Sequence, residues 1–79
     1  MLEMMSEKII EKIISETFEI PVDTVNMNSS KKDVAQWDSI GHIHLMVALE
    51  EEFEITINAS EFADLNSAQE ITVFISKLT

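Results

Sequence analysis

Ser39 follows Asp38 and heads a stretch, Ile40-Gly41-His42-Ile43-His44-Leu45-Met46-Val47-Ala48-Leu49-Glu50-Glu51-Glu52-Phe53, in which apolar residues recur at helical spacing. A hydroxyl in the first turn of a helix is exposed, and the N–H groups around it have no partner within the helix. A phosphate esterified to that hydroxyl would meet those groups and the positive end of the helix dipole. This arrangement suits a serine that carries a phosphodiester-linked group and does not react by itself. An ordinary helix cap, in which Asp38 or Ser39 accepts one N–H bond, stays open beside it. A nucleophile–base pair of Ser39 with His42, three residues on, is the enzymatic alternative. No third group orients the imidazole, and a chain with one glycine has no glycine-rich segment for an oxyanion hole.

The neighbouring polar residues suggest less. His42 and His44 stand two apart, face different sides of a helix, and cannot share a metal ion, so no metal site is expected. Both are expected to face solvent, where protonation near pH 6 would weaken attraction to basic partners. Glu50, Glu51 and Glu52 read as a solvated face or, with Glu54, Glu61 and Asp64, as a docking patch. Trp37 is expected to pack beneath the loop more than to be read by a partner. The spacing Asn26-x-Asn28-x-Ser30 opens like a calcium loop, but Lys31 replaces the required glycine and Trp37 the bidentate glutamate.

The whole chain frames these residues. Its 79 residues form one expected domain, 1–79, with little room for an enclosed substrate cavity. Fifteen acids against five lysines give a formal charge of −10, which argues against nucleic acid and anionic membrane surfaces and favours basic protein partners. Cysteine is absent, so the chain has no thiol nucleophile of its own. The first residues lack a basic segment followed by an apolar one, and no apolar run reaches membrane-spanning length, so a cytoplasmic protein with no membrane insertion is expected.

Periodicity predicts four helices, at about 3–18, 39–53, 59–65 and 67–78, with a long loop over 20–38. The fold class expected is all-α: a small four-helix bundle of three longer helices and one short one. In the first helix Met5, Ile9, Ile13 and the Ile10/Ile14 pair face inward, and Pro21 marks the stop. Ile20, Val22, Val25, Met27 and Val34 are expected to pack the loop onto the bundle. In the second helix Ile43, Leu45, Met46, Val47, Leu49 and Phe53 form a broad apolar arc, with Gly41, His44, Ala48, Glu51 and Glu52 opposite. Gly41 reads as a weak point, costing roughly 1 kcal/mol against alanine. Ile40 and Val47, at the arc's edge, are expected to be partly exposed. Ile55 and Ile57 alternate with polar residues in an extended link. Ser67-Ala68-Gln69-Glu70 reads as a capping box for the last helix, with Ala68, Ile71, Phe74, Ile75 and Leu78 inward.

The segment from Trp37-Asp38-Ser39-Ile40 through Ala48-Leu49-Glu50-Glu51-Glu52-Phe53 resembles the modification motif and second helix of acyl carrier proteins. The likeness continues through Ile55, Ile57, Phe62, Leu65 and Ser67 to Ile75, and is looser before Ser39, resting there on helix length and Ile20-Pro21-Val22-Asp23. The resemblance implies that Ser39 is the attachment point of 4'-phosphopantetheine, covalently transferred from coenzyme A by a phosphopantetheinyl transferase that also recognises Asp38. The arm's thiol would hold an acyl or aminoacyl group as a thioester, so the chain would be a carrier and not an enzyme. Its further partners would be an acyl- or aminoacyl-loading ligase and a downstream synthase or transferase, met by a monomer. Ile40, Val47, Glu50, Glu51 and Glu54 are the expected partner-binding residues, and Met46, Leu49, Phe62 and Leu65 the expected acyl pocket. Gly41, His42 and His44 stand where fatty-acid carriers usually have acids, and a tryptophan before Asp-Ser is more typical of specialised carriers, including aminoacyl, D-alanyl and polyketide types. The competing reading is an unmodified acidic helical adaptor that docks to basic surfaces.

Overall fold

The chain folds into α1 (Leu2–Phe18), α2 (Ser39–Phe53), α3 (Ala59–Phe62) and α4 (Ala68–Leu78), with a 3-10 turn at Val22–Thr24 in the loop after α1. The computed structural model describes residues 2–78, with side chains from Ser6 onward. The inward side chain expected of Met5 therefore lies outside the described ones. Among the described residues there is no strand; a single bridge pairs Ser30 with Ser67. The all-α, four-helix architecture expected from periodicity is the one observed.

The apolar spacing of α1 aligns Ile10, Ile14 and Phe18 on one buried stripe, with Ile13 beside them. This stripe packs against α2 and α4. Leu45 and Leu49 supply α2's share of the core, and Ala68, Ile71 and Ile75 supply that of α4. α1 and α2 end alike, on Glu19 and Glu54 in the left-handed conformation at φ 56° and 54°. The N–H of the next isoleucine then reaches back to Ser15 in α1 and to Glu50 in α2.

Three details depart from the sequence pattern. α3 stops at Phe62 and not at 65, because Leu65 N–H closes a tighter turn on the Phe62 carbonyl at 3.0 Å. The capping box at the start of α4 is offset by one residue. Ser67 Oγ accepts from Glu70 N–H at 3.2 Å, but the Glu70 carboxylate accepts from Asn66 N–H at 2.8 Å, not from Ser67. Leu78 and Val22 are exposed, Leu78 because the helix ends there, and Phe74 is only half-buried.

The long loop is strapped to the rest by backbone bonds. Met27 and Ser29 carbonyls accept from Gln69 and Ala68 N–H, and Lys31 N–H donates to the Asn66 carbonyl. Val25, Val34 and Trp37 anchor the loop in the core. It therefore delivers the chain to the start of α2 in a defined position.

Candidate functional site: the entrance of α2

Asp38 adopts extended backbone (φ −95°, ψ −168°), and its Oδ1 accepts from Gly41 N–H at 2.8 Å, the geometry of a helix N-cap. Ser39 is the first helical residue and is exposed, and its hydroxyl has no hydrogen-bond partner among the described residues. The cap thus belongs to Asp38 and leaves the serine free. It also takes the Gly41 N–H that a phosphate on Ser39 was expected to meet.

Gly41 is buried, against the expectation that it lies on the polar side. A Cβ at this position would stand 2.2 Å from the Gln36 carbonyl oxygen and 2.9 Å from Phe18 Cε1. The absent side chain is what lets the incoming loop and the end of α1 press against the first turn of α2. The glycine is a requirement of close approach, not a weak point.

His42 corrects the sequence reading most. It is 5% exposed and not solvent-facing. Its Nδ1 accepts from Trp37 Nε1–H at 2.8 Å, and its Nε2 lies 2.7 Å from the Phe62 carbonyl oxygen. An indole N–H only donates and a carbonyl only accepts, so the ring is the neutral Nε2–H tautomer with both nitrogens engaged. Burial pushes the imidazole below its usual pKa; the Phe62 carbonyl pulls it up, and Lys31 pushes it down further. Neither nitrogen is left to accept a proton from Ser39, which removes the nucleophile–base pair. His42 also drops out of the expected loss of partner attraction near pH 6.

Trp37 packs as expected, at 2% exposure. Its ring lies between Phe18 (centroids 5.5 Å apart) and His42 (6.2 Å), and His42 stacks on Phe62 at 4.3 Å. Phe62 then meets Phe74 edge-on at 6.3 Å. One series of rings therefore joins α1, the loop, α2, α3 and α4 beneath the entrance. Sequence reasoning missed it because its members are 5 to 20 residues apart where they hydrogen-bond. The one available signal was an uncommon aromatic residue placed directly before Asp38.

On the outer side of α2, Ile40 is 66% exposed and Val47 43%, the partial exposure expected at the edge of the arc. Ile43, placed inside the arc by periodicity, is 56% exposed and joins them. Glu51 and Glu54 are exposed. Glu50 is half-buried, and its carboxylate accepts from Ile57 N–H at 2.7 Å, tying the link after α2 back to the helix. Its work is internal. Leu49 and Phe62 are fully buried in the core, whereas Met46 and Leu65 are half-buried at its edge. Among the described residues no group of three side chains suits a metal ion, and no helix is long and apolar enough to cross a membrane.

A free hydroxyl at a helix entrance, with the adjacent imidazole committed elsewhere, is the geometry of a residue that can carry a group without reacting by itself. Residues 8–75 match the family described as phosphopantetheine attachment site. The chain is 37% identical over 70 residues to the acyl carrier protein of Buchnera aphidicola subsp. Schizaphis graminum, covering 89% of each chain. It is 39% identical over 69 residues to the D-alanyl carrier protein of Streptococcus mutans serotype c, covering 85% of this chain and 86% of that one. The chain belongs to the acyl carrier protein family. It is a carrier and not an enzyme, and its cofactor is covalently attached 4'-phosphopantetheine, whose thiol supplies the thioester bond.

Proposed function

We propose that Ser39 bears the 4'-phosphopantetheine arm and that α2 presents it to partner enzymes. The observation that carries this reading is the exposed hydroxyl of Ser39 standing unengaged beside an Asp38 cap. In the attachment step the Ser39 Oγ–phosphorus bond forms as the pyrophosphate bond of coenzyme A breaks. Adenosine 3',5'-bisphosphate leaves with the bridging oxygen, and the hydroxyl proton passes to a base on the phosphopantetheinyl transferase. Asp38 fixes the serine's backbone and offers the transferase a charge beside it.

The docking face runs along α2. Ile40, Ile43 and Val47 offer an apolar strip near the serine, and Glu51 and Glu54 offer negative charge at the far end. A matching partner has an apolar hollow close to its active site and basic residues one helix length away. Glu50 is left out of this face because its carboxylate is held internally. Such partners are the transferase, a ligase that loads an acyl or aminoacyl group, and a synthase or transferase that takes it on. Met46 and Leu65 are the residues of the expected acyl pocket from which cargo could gain cover without unpacking the core. The lack of acids in the first two turns of α2 supports a specialised carrier, working as a single domain in the cytoplasm and as a monomer.

The test is intact-mass spectrometry after incubation with coenzyme A and a broad-specificity transferase. The wild type is expected to gain one phosphopantetheine adduct and Ser39→Ala none. A wild type that stays unmodified would favour the unmodified adaptor.

A further inference from the structure

The hydrogen bonds of His42 join three parts of the molecule that the helix pairings alone leave independent. Trp37 belongs to the loop and directly precedes Asp38 and Ser39. His42 is in the first turns of α2. Phe62 ends α3, a helix of only four residues with little hold of its own. The Trp37 Nε1–H bond at 2.8 Å and the Phe62 carbonyl contact at 2.7 Å both converge on this one ring. Rings of α1 and α4 close the series at either end, Phe18 on Trp37 and Phe74 on Phe62.

We propose that His42 is a positioning residue for the modification of Ser39: it ties the segment bearing the serine to α3, so that Asp38, Ser39 and the exposed face of α2 meet the transferase as one rigid surface. The inference rests on Ser39 being the attachment point. Without the tie, the Trp37 indole N–H loses its acceptor, the loop that sets the Asp38 cap is freer, and its ordering must occur at the encounter. The loss therefore falls on KM and not on kcat, because the chemistry belongs to the transferase.

The tie depends on the neutral ring. A protonated imidazole donates from both nitrogens, so its Nδ1–H would face the Trp37 N–H donor head on. The groups acting on the ring are Trp37 and the charged Lys31 from the loop and Phe62 from α3, through its carbonyl and its ring; the Phe18 ring of α1 and the Phe74 ring of α4, both uncharged, pack on Trp37 and Phe62 in turn. Lys31 disfavours the charged ring and Phe62 favours it, while burial opposes it most.

The experiment measures transferase kinetics on wild type, His42→Gln, His42→Leu and Trp37→Phe at pH 7.5, with folding checked by circular dichroism. His42→Gln keeps one acceptor and one donor side by side without a charge change, so it is expected to keep a near-wild-type KM. His42→Leu and Trp37→Phe are each expected to raise KM on the order of 10-fold with kcat little changed. Trp37→Phe removes the N–H together with one of the two fused rings of a buried side chain, so rescue by His42→Gln is what separates the lost hydrogen bond from lost packing, and it remains available if His42→Leu does not fold. Unchanged KM in folded Trp37→Phe and His42→Leu, or a KM in folded His42→Gln raised as far as in His42→Leu, would overturn the proposal while an adduct absent from Ser39→Ala keeps the attachment reading. An adduct on Ser39→Ala would overturn both.

Discussion

The two ends of α2 follow different rules. From Leu45 onward the helix obeys its apolar periodicity: Leu45 and Leu49 are fully buried, and Glu51 and Glu52 face solvent. In the first turns the pattern inverts. Gly41 and His42 are buried while Ile40 and Ile43 are exposed. The far end is organised by apolar packing and closed by the Glu50 carboxylate on Ile57 N–H. The entrance is organised around the presentation of one serine, with small and polar residues inside so that backbone can approach and hydrogen bonds can fix it, and isoleucines outside where a partner can reach them. Local rules broken at one end of a helix and kept at the other mark the end that serves a site.

The sharpest contrast pits Gly41→Ala against Ala48→Gly. Helix propensity alone makes the first stabilising and the second destabilising by roughly 1 kcal/mol each. Gly41→Ala is instead expected to destabilise by about 2–3 kcal/mol, because the new methyl would meet the Gln36 carbonyl oxygen at 2.2 Å. Thermal unfolding of both variants measures the difference, and a stabilised Gly41→Ala would erase the distinction between the two ends.

Trp37→Phe is expected to cost about 2–3 kcal/mol, through the cavity left by the lost ring and the His42 Nδ1 left buried without a donor, measured by urea unfolding. Asp38→Ala is expected to cost about 1 kcal/mol through loss of the bond to Gly41 N–H, while Asp38→Asn, an equal cap, costs far less.

The pH response has a definite sign. His42 titrates below its ordinary value in the fold, so in the window below that value the unfolded chain binds more protons than the folded one. The stabilisation by neutral His42 is complete above the unfolded pKa and is lost as pH falls through the window toward the folded pKa. Unfolding free energies of wild type relative to His42→Gln between pH 7.5 and 5 are expected to decline, and a constant difference would contradict the buried, neutral ring. The smallest effect belongs to the far end: Glu51→Gln or Glu52→Gln is expected to shift stability within about 0.5 kcal/mol, since both are exposed. A larger shift would show that one of these exposed carboxylates is engaged in the fold as Glu50 is.

These contrasts also explain what was readable in the amino-acid order. α1, α2 and α4 follow from repeating apolar positions, and the freedom of Ser39 follows from an aspartate that precedes it as a cap. Gly41 was not readable, because propensity scores a residue against its own helix and not against a loop carbonyl folded over it. His42 was not readable either, since a polar residue two from another histidine looks solvent-facing until Trp37 and Phe62 arrive from elsewhere in the chain. Glu50 looked like part of a charged patch because its partner, the N–H of Ile57, lies across the turn at Glu54.

The most direct measurement locates the arm. Cleavage after lysine leaves residues 33–77 of the modified chain as one peptide, which holds Ser39, Ser60, Ser67 and Ser76. Fragmentation that preserves the phosphodiester is expected to place the whole phosphopantetheine mass on Ser39, and an adduct on any other serine, or on none, would contradict the account.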